Sequence, residues 1–187
     1  MAKKAPSTLL NMFLSLTAIA LVAAAVLAYL NGVTSEPIAE AQQAKTERAI
    51  RAVLPDFVTL VDTTVDGNNC HIALDAAGQQ VGMAIEQGND KGFGGHLQLM
   101  LGIDADSSIY GYQILETHET PGLGAKADHW FQKDGKGNII GRNPARCNMK
   151  VTKDGGEIDA ITGSTITSRA FLDIVNSAFE TFQKINS

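Results

Sequence analysis

A hydroxyl-rich turn near the C-terminus has the residue types and spacing suited to holding a phosphate. Asp159 is followed after two residues by Thr162-Gly163-Ser164-Thr165. Apolar residues then recur at helical spacing and predict an amphipathic helix with one buried face; they are Ile166, Phe171, Leu172, Val175, Ala178, Phe179 and Phe182. Ser164 or Thr165 would cap this helix. The unpaired N–H groups and the helix dipole also favour a phosphate, but physics alone favours the cap.

Two glycine-containing stretches predict sharp changes of chain direction. Lys91-Gly92-Phe93-Gly94-Gly95-His96 predicts a loop that enters a strand, because its glycines tolerate positive φ. Its glycine spacing does not match a dinucleotide fingerprint, and no helix follows. In the stretch from His118 to Lys126, Pro121 and Gly122 fit the centre of a type II turn. By themselves these residues favour a structural turn flanked by solvated charges.

The sequence contains no constellation of catalytic or metal-binding residues. His118 has no second ligand or nucleophile at a useful spacing. Cys70 and Cys147 are far apart and lack the Cys-x-x-Cys spacing of zinc or iron–sulfur sites. They would form a disulfide outside the cytoplasm or remain two separate buried thiols. We therefore predict neither a catalytic residue nor a metal site.

Four motifs, in order along the chain, resemble a known family. Asp159-x-x-Thr162-Gly163-Ser164-Thr165 resembles the flavinylation motif Asp-x-x-[Ser/Thr]-Gly-[Ala/Ser]-Thr, whose last threonine holds FMN through a phosphoester bond. Gly92-Phe93-Gly94-Gly95, Gly102-Ile103-Asp104 and His118-x-Thr120-Pro121-Gly122-Leu123-Gly124 precede it. Together they resemble the FMN-binding domain of RnfG and NqrC, which are subunits of the Rnf and Na⁺-translocating NADH:quinone reductase complexes. The resemblance covers nearly the whole chain, and the compact length is closer to RnfG.

This resemblance implies one covalently bound FMN per chain. A separate flavin transferase would join the FMN phosphate to Thr165. Thr120 and Leu123 would lie against the isoalloxazine, and Asp159 would orient the turn or be recognised by the transferase. The further cofactor-binding residues that the resemblance implies are Thr162, Gly163, Ser164, Glu119, Gly124 and Lys126.

The resemblance also implies a role in electron transport. The chain would be an electron-carrying subunit, not a complete enzyme, of an Rnf-type translocase that couples electron transfer between ferredoxin and NAD to Na⁺ or H⁺ movement. Its partners would be the other subunits, the flavin transferase and membrane lipid. Three alternatives remain: an NqrC-like subunit, a stand-alone extracytoplasmic flavoprotein, or a non-redox membrane-anchored module whose threonine turn only caps a helix.

Length and charge limit the possible classes of protein. The 187 residues provide for one domain and a membrane anchor. The net charge of −5 and the absence of a basic cluster argue against a nucleic-acid partner.

An apolar run from Leu9 to Leu30 predicts a single transmembrane helix. It contains no charged residue, and about 22 residues at 1.5 Å each span roughly 33 Å, enough for a bilayer core. A cleaved signal peptide is the competing interpretation, but the run is longer than the usual apolar region. Lys3 and Lys4 precede the run, whereas Glu36 and Glu40 follow it. We expect a retained anchor with a cytoplasmic N-terminus and the domain outside. The resemblance implies that the membrane is the bacterial inner membrane.

The elements between anchor and motif predict an α+β domain. A helix from Thr34 to Leu54, capped by Thr34 or Ser35 and stopped by Pro55, would form a stalk. Two groups of short antiparallel strands would follow, with a short helix and the motif helix packed on the sheet. The predicted strands are Val58–Val61, Cys70–Leu74, Gln80–Ile85, His96–Ile103, Ile109–Leu115 and Lys150–Thr152, and the short helix is Ala125–Gln132. Asp75–Gly78 predicts a hairpin turn between the second and third strands. The predicted regions are a cytoplasmic N-terminus (1–8), transmembrane helix (9–30), stalk (31–56) and FMN-binding domain (57–187).

Overall fold

The first part of the chain is a long apolar helix. A computed structural model describes residues 8–186, and the chain divides into two units, residues 1–44 and 45–187. Most of helix α1, Leu9–Val53, belongs to the first unit. Its most apolar 18-residue window has a mean hydropathy of 2.4 and no buried residue. By length and composition this helix is able to cross a membrane. Lys3 and Lys4, on which the predicted orientation depends, lie outside the described residues.

Helix α1 has no break where the sequence predicts a new helix. The predicted cap at Thr34 or Ser35 is wrong: Thr34 Oγ1 donates to the Leu30 carbonyl oxygen at 2.8 Å, and the helix continues through Pro37. Because the hydroxyl is satisfied by the preceding turn, it does not need to cap a later one. The helix ends at Val53, two residues before Pro55, the predicted stop.

The second unit is built on a five-stranded antiparallel sheet whose spatial order follows the chain order. Its strands are β1 (Thr59–Val65), β2 (Asn68–Leu74), β3 (Gln80–Gly92), β4 (Gly95–Asp104) and β5 (Ile109–Thr117). The predicted turn at Asp75–Gly78 is confirmed: Asp75 Oδ1 accepts from the Ala77 and Gln79 N–H groups, and Gly78 has φ +78°.

Strand β3 is twice as long as predicted and reaches the first glycine motif. Its second half is polar, which obscured it in the sequence, but it pairs with β4 from Glu86↔Met100 to Gly92↔Gly95. The glycine stretch is therefore the tip of the β3–β4 hairpin and not only a loop before a strand.

Two helices cover one face of the sheet. Helix α3, Thr165–Ile185, packs on β3 and β4, and its Phe171 ring stacks on Phe131 at 4.2 Å between centroids. The predicted helix at Ala125–Gln132 is instead a 3-10 turn, Gly124–Lys126, followed by α2, Ala127–Trp130. A sheet covered by helices confirms the predicted α+β class.

The predicted strand Lys150–Thr152 is wrong. Val151 makes one isolated parallel bridge, to Ile158. The next residues, Thr152–Asp154, form a 3-10 turn, and Gly155 then takes φ +78°. Because the chain reverses direction at this turn, Val151 and Ile158 form only one bridge and no row of strand hydrogen bonds develops.

The opposite face of the sheet is covered by the last turns of α1. Ala49, Ile50 and Val53 are buried there against Ala84 and Met100. The approach is close enough that a Cβ at Gly102 would overlap the Val53 carbonyl oxygen. Both faces of the central strands are thus buried, and the glycine permits the helix to dock.

The two cysteines are free thiols. Cys70 is fully buried in the core between the sheet and α3, whereas Cys147 is partly exposed. The sequence left open a disulfide or two separate thiols, and the structure has two separate thiols. Burial raises the pKa of the Cys70 thiol above its ordinary value.

Candidate functional site

Three of the four motifs meet in one cleft of about 350 Å³. The fourth, Gly102-Ile103-Asp104, does not line it, and Gly102 instead lies against Val53 of α1. The cleft lies among the β3–β4 hairpin tip, the corner after β5 and the start of α3. Its lining residues are Phe93, Glu119, Thr120, Leu123, Gly124, Lys153, Gly163, Ser164, Thr165 and Ile166. Thr162, Asp159 and Lys126, which the resemblance also implied, are not among them.

The turn before α3 is held by a serine that the motif does not include. The Ser168 hydroxyl is buried, donates to the Ser164 carbonyl oxygen at 2.9 Å and accepts from the Ile161 N–H at 2.9 Å. Gly163 takes φ +82° within this turn, a conformation that costs other residues energy. Trp130 Nε1 donates to the Asp159 carbonyl oxygen at 2.8 Å. Asp159 therefore helps to fix the turn through its backbone, while its side chain is exposed.

The start of α3 lacks the side-chain cap that the sequence predicts. Ser164 occupies the N-cap position, but its side chain makes no capping hydrogen bond. Its backbone has φ −134° and ψ 52°, away from the extended conformation typical of capping residues. The N–H groups of the first turn consequently have no side-chain acceptor at Ser164. Such donors at the positive end of a helix favour an anion.

A lysine that the four motifs do not include lies beside the motif threonine. Lys153 Nζ is 3.4 Å from Thr165 Oγ1, within reach of a hydrogen bond. The 3-10 turn that carries Lys153 is tied to α3 because Arg169 donates twice to Asp154, at 2.6 Å for each bond. This guanidinium holds the pKa of Asp154 below its usual range. Sequence reasoning missed Lys153, because only the fold of the 3-10 turn brings it to Thr165.

The rim of the cleft is apolar and exposed. Phe93 is 71 % exposed, Leu123 44 % and Ile166 50 %. The sequence placed Ile166 in the buried stripe of α3, which is wrong, because in the first turn this side chain points away from the sheet and into the cleft rim. Apolar side chains gathered at a cleft suit the face of a flat aromatic ring.

The corner after β5 forms the opposite wall. Gly122 has φ +77°, and the Leu123 N–H donates to the Thr120 carbonyl oxygen at 3.1 Å, as the predicted type II turn requires. Glu119 is buried below this corner. His118 instead faces outward, 3.8 Å from Glu116. Within residues 8–186 no group of three His, Cys, Asp or Glu residues is arranged to hold a metal ion.

These features fit FMN. The cleft is within the usual size of cofactor pockets, a lysine and uncapped N–H groups meet a hydroxyl at one end, and an apolar rim surrounds the rest. A buried carboxylate with no hydrogen-bond partner, that of Glu119, also lines it. The fold and cleft thus define a class: an α+β domain, preceded by an apolar helix, that binds a flavin nucleotide.

Comparison with known proteins identifies the particular family. Residues 92–180 match the FMN-binding domain family. The G subunit of the ion-translocating oxidoreductase complex of Methanosarcina acetivorans is 32 % identical, over 91 % of this chain and 92 % of its own length. That of Shewanella amazonensis is 31 % identical over 87 % and 83 %. The G subunit of the Na⁺-translocating ferredoxin:NAD⁺ oxidoreductase complex of Acetobacterium woodii is 34 % identical over 92 % and 91 %.

The chain belongs to the family of G subunits of ion-translocating oxidoreductase complexes. The resemblance to RnfG is confirmed. The chain is an FMN-binding, electron-transfer subunit of a translocase, and its N-terminal helix is long and apolar enough to serve as a membrane anchor.

Proposed function

We propose that this subunit carries electrons through one FMN joined to Thr165 Oγ1 by a phosphoester, in a complex that couples electron transfer between ferredoxin and NAD to Na⁺ or H⁺ translocation. The observation that carries the covalent site is Lys153 Nζ, 3.4 Å from the Thr165 hydroxyl at the uncapped start of α3. The ferredoxin and NAD assignment is supported by the name of the Acetobacterium woodii relative.

The local chemistry agrees with a phosphoester at Thr165. The bond leaves a negative charge on the phosphate, which the Lys153 ammonium and the positive end of α3 would balance. Thr165 is partly exposed, so a separate flavin transferase has access to its hydroxyl. FMN supplies the redox chemistry, and the residues of the cleft hold and orient it.

The direction of the anchor is part of the same proposal. We place the N-terminus in the cytoplasm and the FMN domain on the outer side of the cytoplasmic membrane, from the lysines before the apolar run and the acidic residues after it. A tether is useful there, because a cofactor that dissociates outside the cytoplasm is lost to the cell. The other subunits of the complex and lipid are the proposed partners.

A denaturing gel of the full chain, expressed with a flavin transferase, tests the covalent site. Flavin fluorescence should remain with the wild-type band and disappear in Thr165→Val. The control Thr152→Val changes an exposed threonine of the neighbouring 3-10 turn and should keep the fluorescence. Intact mass should show one FMN less one water. A non-fluorescent wild-type band would contradict the proposal and favour the helix-cap interpretation. A fluorescent Thr165→Val band would show that FMN is attached to a residue other than Thr165.

Purification of the intact membrane complex tests the remaining part of the proposal. Other membrane subunits should co-purify with the tagged chain, and the complex should transfer electrons between ferredoxin and NAD. A tagged chain that purifies alone would favour the stand-alone flavoprotein, and a complex that reduces quinone from NADH would favour the NqrC-like alternative.

A further inference from the structure

Two buried polar side chains below the cleft have no hydrogen-bond partner. Glu119 is 7 % exposed, and neither carboxylate oxygen makes a hydrogen bond. The Thr167 hydroxyl is fully buried and also lacks one. Both side chains lie next to Gly124. If Gly124 had a Cβ atom, that atom would overlap the Glu119 carboxylate and lie 2.8 Å from Thr167 Oγ1. The two groups therefore face the same small space, which the glycine keeps open.

Among residues 8–186 no cation forms an ion pair with the Glu119 carboxylate. Lys91, at the end of β3, binds Asp173 at 2.5 Å, and His118, the preceding residue, is 3.8 Å from Glu116. Lys153 bonds to Thr165 instead, and Lys126 is outside the cleft lining. A buried carboxylate left in this state destabilises a protein unless a ligand supplies its partners.

The chemistry of the carboxylate restricts that ligand. An ionised carboxylate only accepts hydrogen bonds, so its partner must be an O–H or N–H donor. A phosphate is itself an acceptor and a negative charge, and it is repelled there. The flavin nucleotide has donors away from its phosphate, in the ribityl hydroxyls and the ring N–H. Glu119 and Lys153 thus make the two parts of the cleft chemically opposite.

We propose that Glu119, assisted by Thr167, sets the direction in which the flavin lies in the cleft by accepting a hydrogen bond from its O–H or N–H donors. Lys153 and Thr165 hold the phosphate, and Glu119 positions the remainder of the molecule. This inference rests on the proposed FMN function. It assigns Glu119 as a positioning residue, whose effect is on how the bound flavin is held.

The tether allows this role to be measured separately from retention of the flavin. Glu119→Gln in the full chain should keep the covalent flavin, because Thr165 is intact. Its flavin fluorescence should become more accessible to iodide, with a quenching constant at least about threefold higher, and the anisotropy should fall. The matched control Glu116→Gln replaces an exposed carboxylate outside the cleft lining and should behave as wild type. Thr167→Val should change both readouts in the same direction as Glu119→Gln, by less.

A purely structural role is distinguished by stability without flavin. Because Glu119→Gln exchanges a buried carboxyl group without partners for an amide of the same shape, the melting temperature of the flavin-free chain should not fall. A fall, or unchanged anisotropy and quenching in both Glu119→Gln and Thr167→Val, would overturn the inference. A wild-type chain without covalent flavin contradicts the proposed function instead.

Free flavins then identify the donor and test Glu119 even without a tether. In the flavin-free chain, Glu119→Gln should weaken riboflavin binding by about 5–10-fold, because the amide oxygen still accepts the hydrogen bond and only the difference between a charged and a neutral acceptor is lost. If Glu119→Gln weakens the binding of riboflavin but not of lumiflavin, which lacks the ribityl chain, the donor to Glu119 is a ribityl hydroxyl. If the variant weakens the binding of both, the donor is the ring N–H. Equal riboflavin affinity in wild type and Glu119→Gln would contradict the role of Glu119.

Discussion

Replacing Lys153 with glutamine tests the cationic end of the cleft. Lys153 Nζ lies 3.4 Å from Thr165 Oγ1, so a phosphoester there places a negative charge close to the ammonium. Two unit charges roughly 4 Å apart interact by about 4 kcal/mol at an effective dielectric constant of about 20. Lys153 is exposed, and measured exposed ion pairs contribute only about 0.2–1 kcal/mol. We therefore expect the lysine to stabilise the FMN-loaded chain by about 1 kcal/mol.

Thermal unfolding of four samples isolates this contribution. Wild type and Lys153→Gln are each measured with FMN attached and without it. The increase in melting temperature on loading should be about 2–4 °C smaller in Lys153→Gln, which corresponds to about 1 kcal/mol for a domain of this size. In about 1 M salt, where the Debye length is about 3 Å, the difference should largely vanish.

The control is Lys133→Gln, a lysine in the segment after α2 that does not line the cleft. The increase in its melting temperature when FMN is attached should equal that of wild type. An equal increase in wild type and Lys153→Gln at low salt would refute the reasoning. A difference that persists undiminished at high salt would show that Lys153 acts through packing and not through charge.

Two further predictions concern helix docking and the hairpin. Gly102→Ala should lower the free energy of unfolding by about 1–3 kcal/mol, because its Cβ would overlap the Val53 carbonyl oxygen; chemical denaturation measures this loss. Asp90 bonds to His96 at 2.6 Å and raises the pKa of His96; Asp90→Asn should lower that pKa in an NMR titration. Because the folded-state pKa is raised, the pair stabilises the protein below the unfolded-state pKa and loses this effect as pH rises through the folded-state pKa. Asp90→Asn should thus destabilise more at about pH 5.5 than at about pH 8.

The Gly102→Ala prediction has a graded control at Gly111. A Cβ at Gly111 would lie 3.2 Å from the Val53 Cα, a tight contact without overlap. Gly111→Ala should therefore cost less than Gly102→Ala, and the opposite order would contradict the docking explanation. For the hairpin, a His96 pKa that is equal in wild type and Asp90→Asn would exclude Asp90 as its cause.

The sequence predicts the fold best where short-range signals agree. The turn at Asp75–Gly78 combines an aspartate acceptor with a glycine at positive φ, and both appear in the structure. Prediction from the sequence fails where one residue type can make either of two hydrogen bonds. Thr34 is as suited to bonding Leu30 in the preceding turn as to capping a new one. The second half of β3 is polar and carries no periodic signal, so its pairing with β4 depends on the partner strand.

For the site, the motifs indicate the correct region but not its electrostatics. Thr165, Leu123 and Gly163 line one cleft as the resemblance leads one to expect. Lys153 lies in a 3-10 turn whose position depends on the long-range pair of Asp154 with Arg169. The partnerless state of Glu119 likewise depends on the packing around it, which no local pattern reveals.

In the proposed function, retaining the flavin and orienting it are separate tasks. A phosphoester at Thr165 fixes the phosphorus atom, but the ribityl chain has several rotatable bonds, so the ring can still move. Electron transfer depends on where the ring lies, and the tether alone leaves that position undetermined. The contacts that remain to determine it are the apolar rim, with Phe93, Leu123 and Ile166, and the Glu119 acceptor. Thr165→Val should therefore abolish retention, whereas Glu119→Gln should leave a retained but mobile flavin.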